Sequence, residues 1–532
     1  MSALAPEALP APAAVRRLAL LDEGFLTEWV EDPERFADLL PNPFPIPDPL
    51  PSRFAADAPA RLAPRDAVVR LIEGTNRSLG GDAACRAAAR GLRDPRALAV
   101  VTGQQAGIFG GPLYSLAKGL SAVALARRLQ DRTGRPVVPV FWIEGDDADF
   151  EEIRSTTVLD AGGAPHGIRI GADDDLSGAP AFRRRLTDDA GAHIDELASV
   201  LPPTSFTGPL LADLRHAYAP GASLTGAFGR FLLHITRGAG LVVMDPTDGA
   251  MKELALPVFR EALRDHHEAR GRIERQTTRI AAAGFRPQAA PEGYGVFHLD
   301  ASGARKRLAH SAPLESAEDS PSAAVLLRPL VQDYLLPTVA YVGGPAEVAY
   351  HAQIGPLYDL HQIRRPFIVP RHLIAVLTRS AARVLDRDGI AFDELSRGDE
   401  SALNRILADP AAQAALGRAK GAVRGSLREV EEALAALDRS LRAAARQTTG
   451  RILAILGKLE GKSVRAAKRL AAERRARFLK AREFLFPGGV PQERRLSPLV
   501  FLNLFGPEFP RWLLGALLSP DADRTKRNLL FR

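Results

Sequence analysis

The chain has 532 residues, 46% of them hydrophobic and 25% charged, and this length exceeds what one core usually organises, so we expect two or three domains. Its single cysteine, Cys85, excludes an intrachain disulfide and a multi-cysteine metal site. Because no run of about eighteen apolar residues occurs and no basic segment precedes an apolar one at the start, we expect a cytoplasmic protein without a membrane partner.

Residues 1–95 are expected to form an N-terminal arm and helices that join the core. Prolines alternate with other residues from Pro41 to Pro51, and this spacing requires extended backbone that cannot be helical. The remainder of the segment is Ala-rich and predicts helices.

The next segment predicts one βαβ unit. Apolar runs predict buried strands over Ala97–Thr102 and Pro136–Ile143, and an amphipathic pattern predicts a helix over Pro112–Leu129. A glycine-rich turn, Gly103–Gly111, follows the first strand, and an acidic turn, Glu144–Phe150, follows the second. Because parallel strands direct these turns to the same sheet edge, we expect the two turns to lie side by side and to form a ligand site.

Strands and helices continue to alternate through residues 96–372, interrupted by insertions expected near 160–225 and 284–322. This alternation predicts an α/β fold with a mostly parallel sheet. The further elements expected are, in chain order, helix Phe228–Arg237, strand Gly240–Asp245, helix Met251–Ala283, strand Pro337–Gly344, helix Ala346–His361 and strand Pro366–Pro370.

Residues 373–486 are expected to form a helical domain. No proline interrupts residues 411–486, and apolar residues at 3-4 spacing from Leu416 to Leu441 predict a heptad seam. Three glycines farther along leave two alternatives open, a bent long helix and a hairpin of two antiparallel helices. They are Gly450, Gly457 and Gly461.

The excess positive charge of the chain, whose formal net charge is +7, lies in this helical region. Residues 411–482 contain 18 Lys or Arg and 6 Asp or Glu, a net charge of +12. Such a region is compatible with nucleic-acid binding. Most of it lacks the aromatic side chains on which bases stack, so we expect a solvated helix face and no nucleic-acid partner. The tail, residues 487–532, is apolar enough to pack back against a domain.

The glycine-rich turn is the first candidate binding site, because its glycines allow close approach of the backbone and the helix that follows can offer N–H groups to an anion. Its spacing matches neither G-x-G-x-x-G nor GxxxxGK[ST], which disfavours a dehydrogenase or a P-loop enzyme. A tight strand-to-helix turn is the alternative interpretation. The candidate residues are Gly103, Gln104, Gln105, Gly107, Gly111, Pro112, Tyr114 and Lys118.

The acidic turn is the second candidate site. It begins a stretch with six carboxylates in nine residues, which repel one another unless cations or solvent relieve them. This suits an Mg²⁺–nucleotide or an ammonium group, whereas a solvated acidic turn is the alternative. No residue is predicted to hold a resident metal. The candidate catalytic residues are Asp146, Asp147 and Asp149, and the neighbouring candidate binding residues are Trp142 and Glu144.

A second strand, Gly-Gly-Pro turn and helix occur at the other end of the core, in the segment YVGGPAEVAY. It supplies the candidate binding residues Gly343, Gly344, Glu347 and Tyr350, although a simple helix cap is the alternative for Glu347. Two arginines flank the segment and could hold a carboxylate bidentately. They are Arg328 and Arg371.

Six motifs in order, TGQQ, GGPLY, PVVPVFWI with GDDADFEEI, RPLVQD, AYVGGPAEVAY and FPGGVPQER, resemble the BshC family, the cysteine-adding enzymes of bacillithiol biosynthesis. The resemblance extends from the first core strand to the C-terminus. It implies a ligase that adds L-cysteine to glucosaminyl-malate by forming an amide. It also implies a nucleotide-binding Rossmann-like core with two inserted connecting domains, and a C-terminal antiparallel coiled coil that forms a homodimer.

One residue departs from the family pattern, which has a histidine between the acids of the turn where this chain has Ala148. Removal of a proton from the acceptor amine would then fall to Asp147 or Asp149. Because like charges raise the pKa of at least one member of a cluster, a carboxylate can act as this base. Chemistry implies activation of the cysteine carboxylate by a nucleotide, ATP, with ATP or ADP as the expected ligand. A non-catalytic nucleic-acid-binding or scaffolding protein that uses the basic helices is the alternative function.

Overall fold

The computed structural model describes residues 15–17, 24–171, 178–318, 320–390, 392–396, 403, 410–470, 472–519 and 528–531. The chain divides into two compact units. The first unit comprises Met1–Val376 and Val490–Arg532, and the second comprises Leu377–Gly489.

The strands described all belong to the first unit. They are β1 (Val15–Arg17), β2 (Leu98–Gln105), β3 (Val137–Glu144), β4 (Ser155–Leu159), β5 (Pro165–Arg169), β6 (Val242–Met244), β7 (Val296–Leu299), β8 (Arg305–Arg307), β9 (Ser322–Ala323), β10 (Thr338–Gly343), β11 (Phe367–Pro370), β12 (Leu373–Val376) and β13 (Asn528–Phe531).

The α-helices of the first unit before the second unit begins are α1 (Phe25–Glu31), α2 (Arg65–Ser78), α3 (Ala83–Gly91), α4 (Leu113–Thr133), α5 (Phe150–Ile153), α6 (Asp189–Val200), α7 (Thr207–Ala217), α8 (Leu224–Ile235), α9 (Gly249–Arg264), α10 (His266–Ala282), α11 (Arg328–Leu335), α12 (Pro345–Gln353) and α13 (Gly355–Leu360). The second unit contains α14 (Arg379–Asp388), α15 (Phe392–Ser396), α16 (Pro410–Leu437), α17 (Leu441–Leu470) and α18 (Ala472–Leu485). The chain then returns to the first unit through α19 (Gln492–Arg495), α20 (Pro498–Phe505) and α21 (Phe509–Leu518).

A five-stranded parallel sheet organises the first unit, with strand order β11-β10-β2-β3-β6. From β2 the chain proceeds to β3 and β6 on one side, and β10 and β11 then add to the other side. The strand order therefore reverses between β2 and β10, and in open α/β sheets the crevice at such a switch point is where ligands bind. The α/β fold with a Rossmann-like parallel core is thus confirmed.

Helices cover both faces of this sheet because alternate strand residues point to opposite sides. Leu98 and Val100 of β2 pack in one cluster with Ala122 and Leu129 of α4. The intervening Ala99 and Val101 belong to a second cluster, to which α2, α9, α11 and α12 contribute. This continuous burial on both faces explains why the strand sequences are almost wholly apolar.

Smaller sheets surround the parallel one. Strands β4 and β5 form an antiparallel hairpin, and β7 pairs antiparallel with both β8 and β9. Strand β13 pairs with β1 and β12, so the two ends of the first unit's chain meet in one three-stranded sheet.

Two long helices expected from the sequence are each divided in two. The helix expected over Met251–Ala283 is α9 and α10, separated at Asp265, and the helix expected over Ala346–His361 is α12 and α13, separated at Ile354. Apolar periodicity continues across both breaks, so the sequence pattern could not reveal them.

The second unit contains the antiparallel helical hairpin, which is formed by α16 and α17. The chain reverses at residues 438–440, whereas the three glycines lie inside α17. The expected seam up to Leu441 is therefore wrong at its end, because Leu437 is 80% exposed and Leu441 already belongs to the second helix. Leu416, Val423, Leu427 and Leu434 are half-buried, as a seam between the two helices requires.

Candidate active site

A pocket of about 650 Å³ lies at the switch point between β2 and β10, and we refer to it as the switch-point pocket. Most predicted site residues line it, namely Gly103, Gln104, Gln105, Tyr114, Lys118, Trp142, Glu144, Asp147, Arg328, Gly344, Glu347, Tyr350 and Arg371. Six further lining residues are not among the predicted ones, namely Glu152, Gln288, Tyr341, Pro345, Ala346 and Arg494. The pocket thus has carboxylates and cations on its walls.

The glycine-rich turn and the acidic turn lie side by side, which confirms the prediction from the βαβ unit. Gln105, the last residue of β2, pairs in register with Glu144, the last residue of β3. The Gln105 side-chain amide donates a hydrogen bond of 2.6 Å to Asp147 Oδ2 across the two turns. Parallel pairing alone is sufficient to bring these groups together.

Glu144 is the most perturbed acid of the pocket. Burial raises the pKa of its carboxyl group to about 7, and the negative charge of Asp146 adds to this rise, while Arg328 opposes it. The indole N–H of Trp142 donates to Glu144 Oε2 at 3.2 Å, and Arg328 Nε lies 3.6 Å from the same oxygen. A carboxyl group with a pKa near neutrality can exchange protons with a substrate at physiological pH. The raised pKa thus lies at Glu144 rather than at the expected Asp147 or Asp149, and burial rather than repulsion between like charges is its main cause.

A buried ion pair forms the floor of the pocket. Lys118 Nζ lies 2.6 Å from Glu347 Oε2, and it also donates to Gln104 Oε1 at 3.1 Å and to the Gly103 carbonyl. Glu347 further accepts the N–H of Gly344 at 2.6 Å and the hydroxyl of Tyr341. Burial opposes ionisation of Glu347, but the charge of Lys118 and the hydrogen bonds from Lys118, Tyr341 and Gly344 together outweigh it and lower the pKa of this carboxyl group. The pair joins α4 to α12 across the switch point.

The two arginines predicted to hold a substrate carboxylate bidentately are engaged by the protein. Arg371 donates both terminal nitrogens to Glu493, at 2.7 and 2.9 Å. Arg328 donates to Gln332 at 3.0 Å and to Tyr350 at 2.9 Å. The donors of both arginines are therefore engaged by the protein in this structure, and bidentate capture of a ligand by either residue stays a prediction.

Arg494 reaches the pocket from the chain segment that returns after the second unit. Its neighbour Glu493 is buried and accepts the Ile374 N–H at 2.8 Å in addition to Arg371, while Gln492 pairs with the backbone of Val376. These contacts fix the return segment, and Arg494 is exposed at the pocket mouth. Its motif, FPGGVPQER, was visible in the sequence, but no local pattern could connect residue 494 to residue 105.

The glycines of the glycine-rich turn are engaged by the protein itself. Three of their N–H groups donate within the protein, and the first N–H of α4 is capped by a carbonyl of the return segment. The bonds are Gly107 N–H to Gln105 O (2.9 Å), Gly110 N–H to Tyr218 Oη (2.9 Å), Gly111 N–H to Ile108 O (3.1 Å) and Leu113 N–H to Leu496 O (2.8 Å). The predicted residues Gly107, Gly111 and Pro112 accordingly do not line the pocket. The turn therefore does not fit the role of a phosphate cradle for a nucleotide.

Two of the three predicted catalytic acids face away from the switch-point pocket. Asp146 is buried and pairs with Lys252 Nζ at 2.7 Å, whereas Asp149 caps α5 by accepting the Glu152 N–H at 3.3 Å. Gly343 is also absent from the lining, since its carbonyl accepts the Arg371 N–H at 2.8 Å. Consecutive residues of a loop point in different directions, so the acidic composition could not tell which acids face the pocket. Asp147 does.

Within the described ranges, no three His, Cys, Asp or Glu side chains come together in an arrangement that could hold a metal ion. Among the helices that the structure describes, none combines the length and the apolar composition needed to cross a bilayer.

Two family models together match most of the chain. The BshC N-terminal Rossmann-like domain of bacillithiol biosynthesis matches residues 25–319 and 311–372, and the BshC C-terminal coiled-coil domain matches residues 374–525. The chain belongs to the BshC family.

Curated relatives extend over almost the whole chain. A protein of Salinibacter ruber is 34% identical over 505 residues, which are 90% of this chain and 91% of the relative. A protein of Chlorobaculum tepidum is 31% identical over 85% of this chain and 86% of its own length. A third protein, from Heliobacterium modesticaldum, is 30% identical over 97% of this chain and 99% of its own length. Each of these BshC proteins bears the name "Putative cysteine ligase BshC".

Proposed function

We propose that the chain is a ligase that joins the carboxyl group of L-cysteine to the amine of glucosaminyl-malate, forming bacillithiol. The names of the relatives and membership of the BshC family support this proposal. The observation that carries it is the switch-point pocket, in which Glu144, with its raised pKa, faces a wall that contains Lys118 and Arg494. The side with Glu144 suits an amine that must lose a proton, and the wall with Lys118 and Arg494 suits carboxylates.

Glu144 is the proposed general base. An amine attacks a carbonyl carbon only after its ammonium form has lost a proton, and a base with a pKa near 7 is about half ionised at neutral pH, so it can accept that proton. Glu144 reaches the pocket, and Trp142 donates a hydrogen bond that orients its carboxylate. Asp147, held by Gln105, is the second acid proposed to contact the amine. Asp149 caps α5 and is excluded from this role.

The acidic acceptor and the amino acid both carry carboxylates, which require positive charge in the pocket. We assign this to the wall formed by Lys118, Arg328, Arg371 and Arg494, whose charges attract anions even where their donors are bound to the protein. Activation of the cysteine carboxylate is proposed to use ATP with Mg²⁺: the carboxylate receives a phosphoryl or adenylyl group from ATP, and attack by the amine forms the C–N bond, breaks the C–O bond and releases phosphate or AMP. Since the glycine-rich turn does not form a phosphate cradle, no residue is assigned to that step.

The reaction tests the proposal directly. The full chain is incubated with cysteine, glucosaminyl-malate, ATP and Mg²⁺, and bacillithiol is measured by mass spectrometry. Glu144→Gln should lower the rate at least about 100-fold, as expected for a general base. Asp149→Asn is the matched control and should retain nearly the native rate. Equal rates for the two variants would refute Glu144 as the base. A gain of rate in Ala148→His would show that the family histidine contributes.

The absence of product in every combination of substrates would refute the ligase. Salt-dependent binding of an oligonucleotide by the same preparation would then favour the scaffold that the basic helices allow. Binding of nucleotide or of glucosaminyl-malate, seen as a rise in melting temperature, would favour the enzyme.

The helical hairpin is proposed to form the contact of a homodimer. Apolar side chains on both helices are exposed, with Val430 at 45% and Leu437 at 80% on α16, and Ile455 at 64% and Leu459 at 51% on α17. Exposed apolar residues clustered on one element are typical of an interface. Sedimentation of the full chain as a monomer at high concentration would refute the dimer.

A further inference from the structure

A small cavity lies behind the switch-point pocket, and we refer to it as the rear cavity. Its volume is about 20 Å³, and Trp142, Glu144 and Arg328 line both the rear cavity and the pocket. These three side chains therefore lie between the switch-point pocket and the rear cavity. A cavity of this volume can hold one water molecule when polar groups surround it.

The far side of the rear cavity is lined by a buried ion pair. Lys252 Nζ lies 2.7 Å from Asp146 Oδ1, and the two side chains are 3% and 11% exposed. Lys252 also donates to Ser320 Oγ at 3.0 Å and lies 5.0 Å from the centre of the Phe182 ring. Neither charged group of the pair lines the switch-point pocket, so neither is placed to contact a substrate there.

Because the ion pair is buried, its charges act strongly on neighbouring ionisable groups. Charges interact more strongly where water is excluded, and removal of one member of a buried pair leaves the other uncompensated. The groups that act on Glu144 are Arg328 and Arg305, which favour its ionised form, and Asp146 and Asp147, which oppose it. Burial is the main cause of the raised pKa of Asp245, which follows β6, and Asp146 adds to this rise. Asp146 is thus the negative charge of the rear cavity that acts on Glu144.

We infer that the Asp146–Lys252 ion pair, together with one water molecule bound in the rear cavity, controls the protonation of Glu144 from the side opposite the substrate. The catalytic consequence rests on the proposed function of Glu144 as general base. Asp146 and Lys252 are then positioning residues, whose charges set the fraction of Glu144 that is ionised when substrate binds. The sequence pattern placed Asp146 among the catalytic acids, and Lys252 lies on a distant helix, α9.

The titration of Glu144 can be measured without substrate, through Trp142. The chain has three tryptophans, and Trp142 donates its indole N–H to Glu144. In full-length protein labelled with 5-fluorotryptophan, one ¹⁹F resonance should move with pH near 7. The same resonance should stop titrating in Glu144→Gln, which assigns it.

Asp146→Asn is the decisive variant, because it removes the negative charge, leaves Lys252 positive and changes the shape little. We expect the midpoint of the titration to fall by about one pH unit. Lys252→Met removes the positive charge instead, leaves Asp146 negative, and should raise the midpoint. Glu261→Gln, which removes the carboxylate of the remote Arg61–Glu261 pair, is the control and should leave it unchanged.

An unchanged midpoint in Asp146→Asn would overturn the inference, as would a fall in Lys252→Met. The water is tested by a crystal structure of the full chain, in which an oxygen should lie about 2.7–3.2 Å from Glu144 and from a member of the ion pair. An empty rear cavity would overturn that part. Because no measurement here uses substrate, a failure of the ligase assay alone would refute the proposed function and leave this inference standing.

Discussion

The raised pKa of Glu144 predicts that Glu144→Gln stabilises the protein at alkaline pH. A carboxyl group whose pKa is higher in the folded than in the unfolded state binds protons more tightly when folded. The folded state therefore has its full stability below the unfolded pKa of 4.5 and loses stability as the pH rises through the folded value of about 7. Glutamine has no charge to bury, so the variant does not undergo this loss.

The size of this loss of stability follows from the free energy of about 1.4 kcal/mol that corresponds to each unit of difference between the folded and unfolded pKa. The loss amounts to about 3 kcal/mol above pH 8, but only to about 1.4 kcal/mol at pH 5.5, where the folded group is still protonated. The stability difference between Glu144→Gln and the native chain should therefore become more favourable to the variant by about 2 kcal/mol between pH 5.5 and pH 8.5. Effects of the substitution that do not depend on pH cancel in this comparison.

Denaturation by urea, followed by tryptophan fluorescence at both pH values, measures this difference. Trp29, Trp142 and Trp512 all lie in the same compact unit as Glu144, so their emission reports the unfolding of that unit. Glu73→Gln is the control. A hydrogen bond from Arg93 lowers the pKa of Glu73, so its removal should not favour the variant at high pH. A stability difference that is constant between the two pH values would refute the raised pKa of Glu144.

Three further predictions concern the pocket floor, the turn and the hairpin. Lys118→Met should lower the free energy of unfolding by about 3–5 kcal/mol in urea denaturation, because Glu347 would keep a buried charge without its partner, whereas Lys118→Met with Glu347→Gln should recover part of the loss. Gly111→Val should reduce stability by about 1–3 kcal/mol, measured in the same way, because Gly111 has a φ of 65° that a β-branched residue adopts only with strain, and full stability would contradict this. Leu437→Lys with Ile455→Lys should convert the proposed homodimer to monomers in sedimentation, with Arg511→Lys as a control outside the hairpin, and an unchanged sedimentation coefficient would place the dimer contact elsewhere.

Much of the site can be predicted from the sequence, because the order of strands and helices along the chain determines which turns meet at one edge of a parallel sheet. Two apolar strands separated by a helix place their following turns together, so the meeting of Gln105 and Asp147 is predictable from the order of these elements along the chain. The Gly-Gly-Pro segment at β10 completes the switch point for the same reason. Composition likewise indicated where carboxylates and positive charges would concentrate.

The tertiary structure decided which of these groups face a ligand. Glycines in the turn permit close approach, but the groups that approach are Tyr218 and the return segment rather than an anion. The acidic run contains a general-base candidate in Glu144, a buried ion-pair member in Asp146 and a helix cap in Asp149, although all three look alike in sequence. Burial and partner charges separate them, and both depend on residues such as Lys252 and Arg328 that lie more than a hundred positions away. Sequence spacing determines which strands and turns are neighbours, while the direction of each side chain depends on packing contacts that only the folded chain brings together.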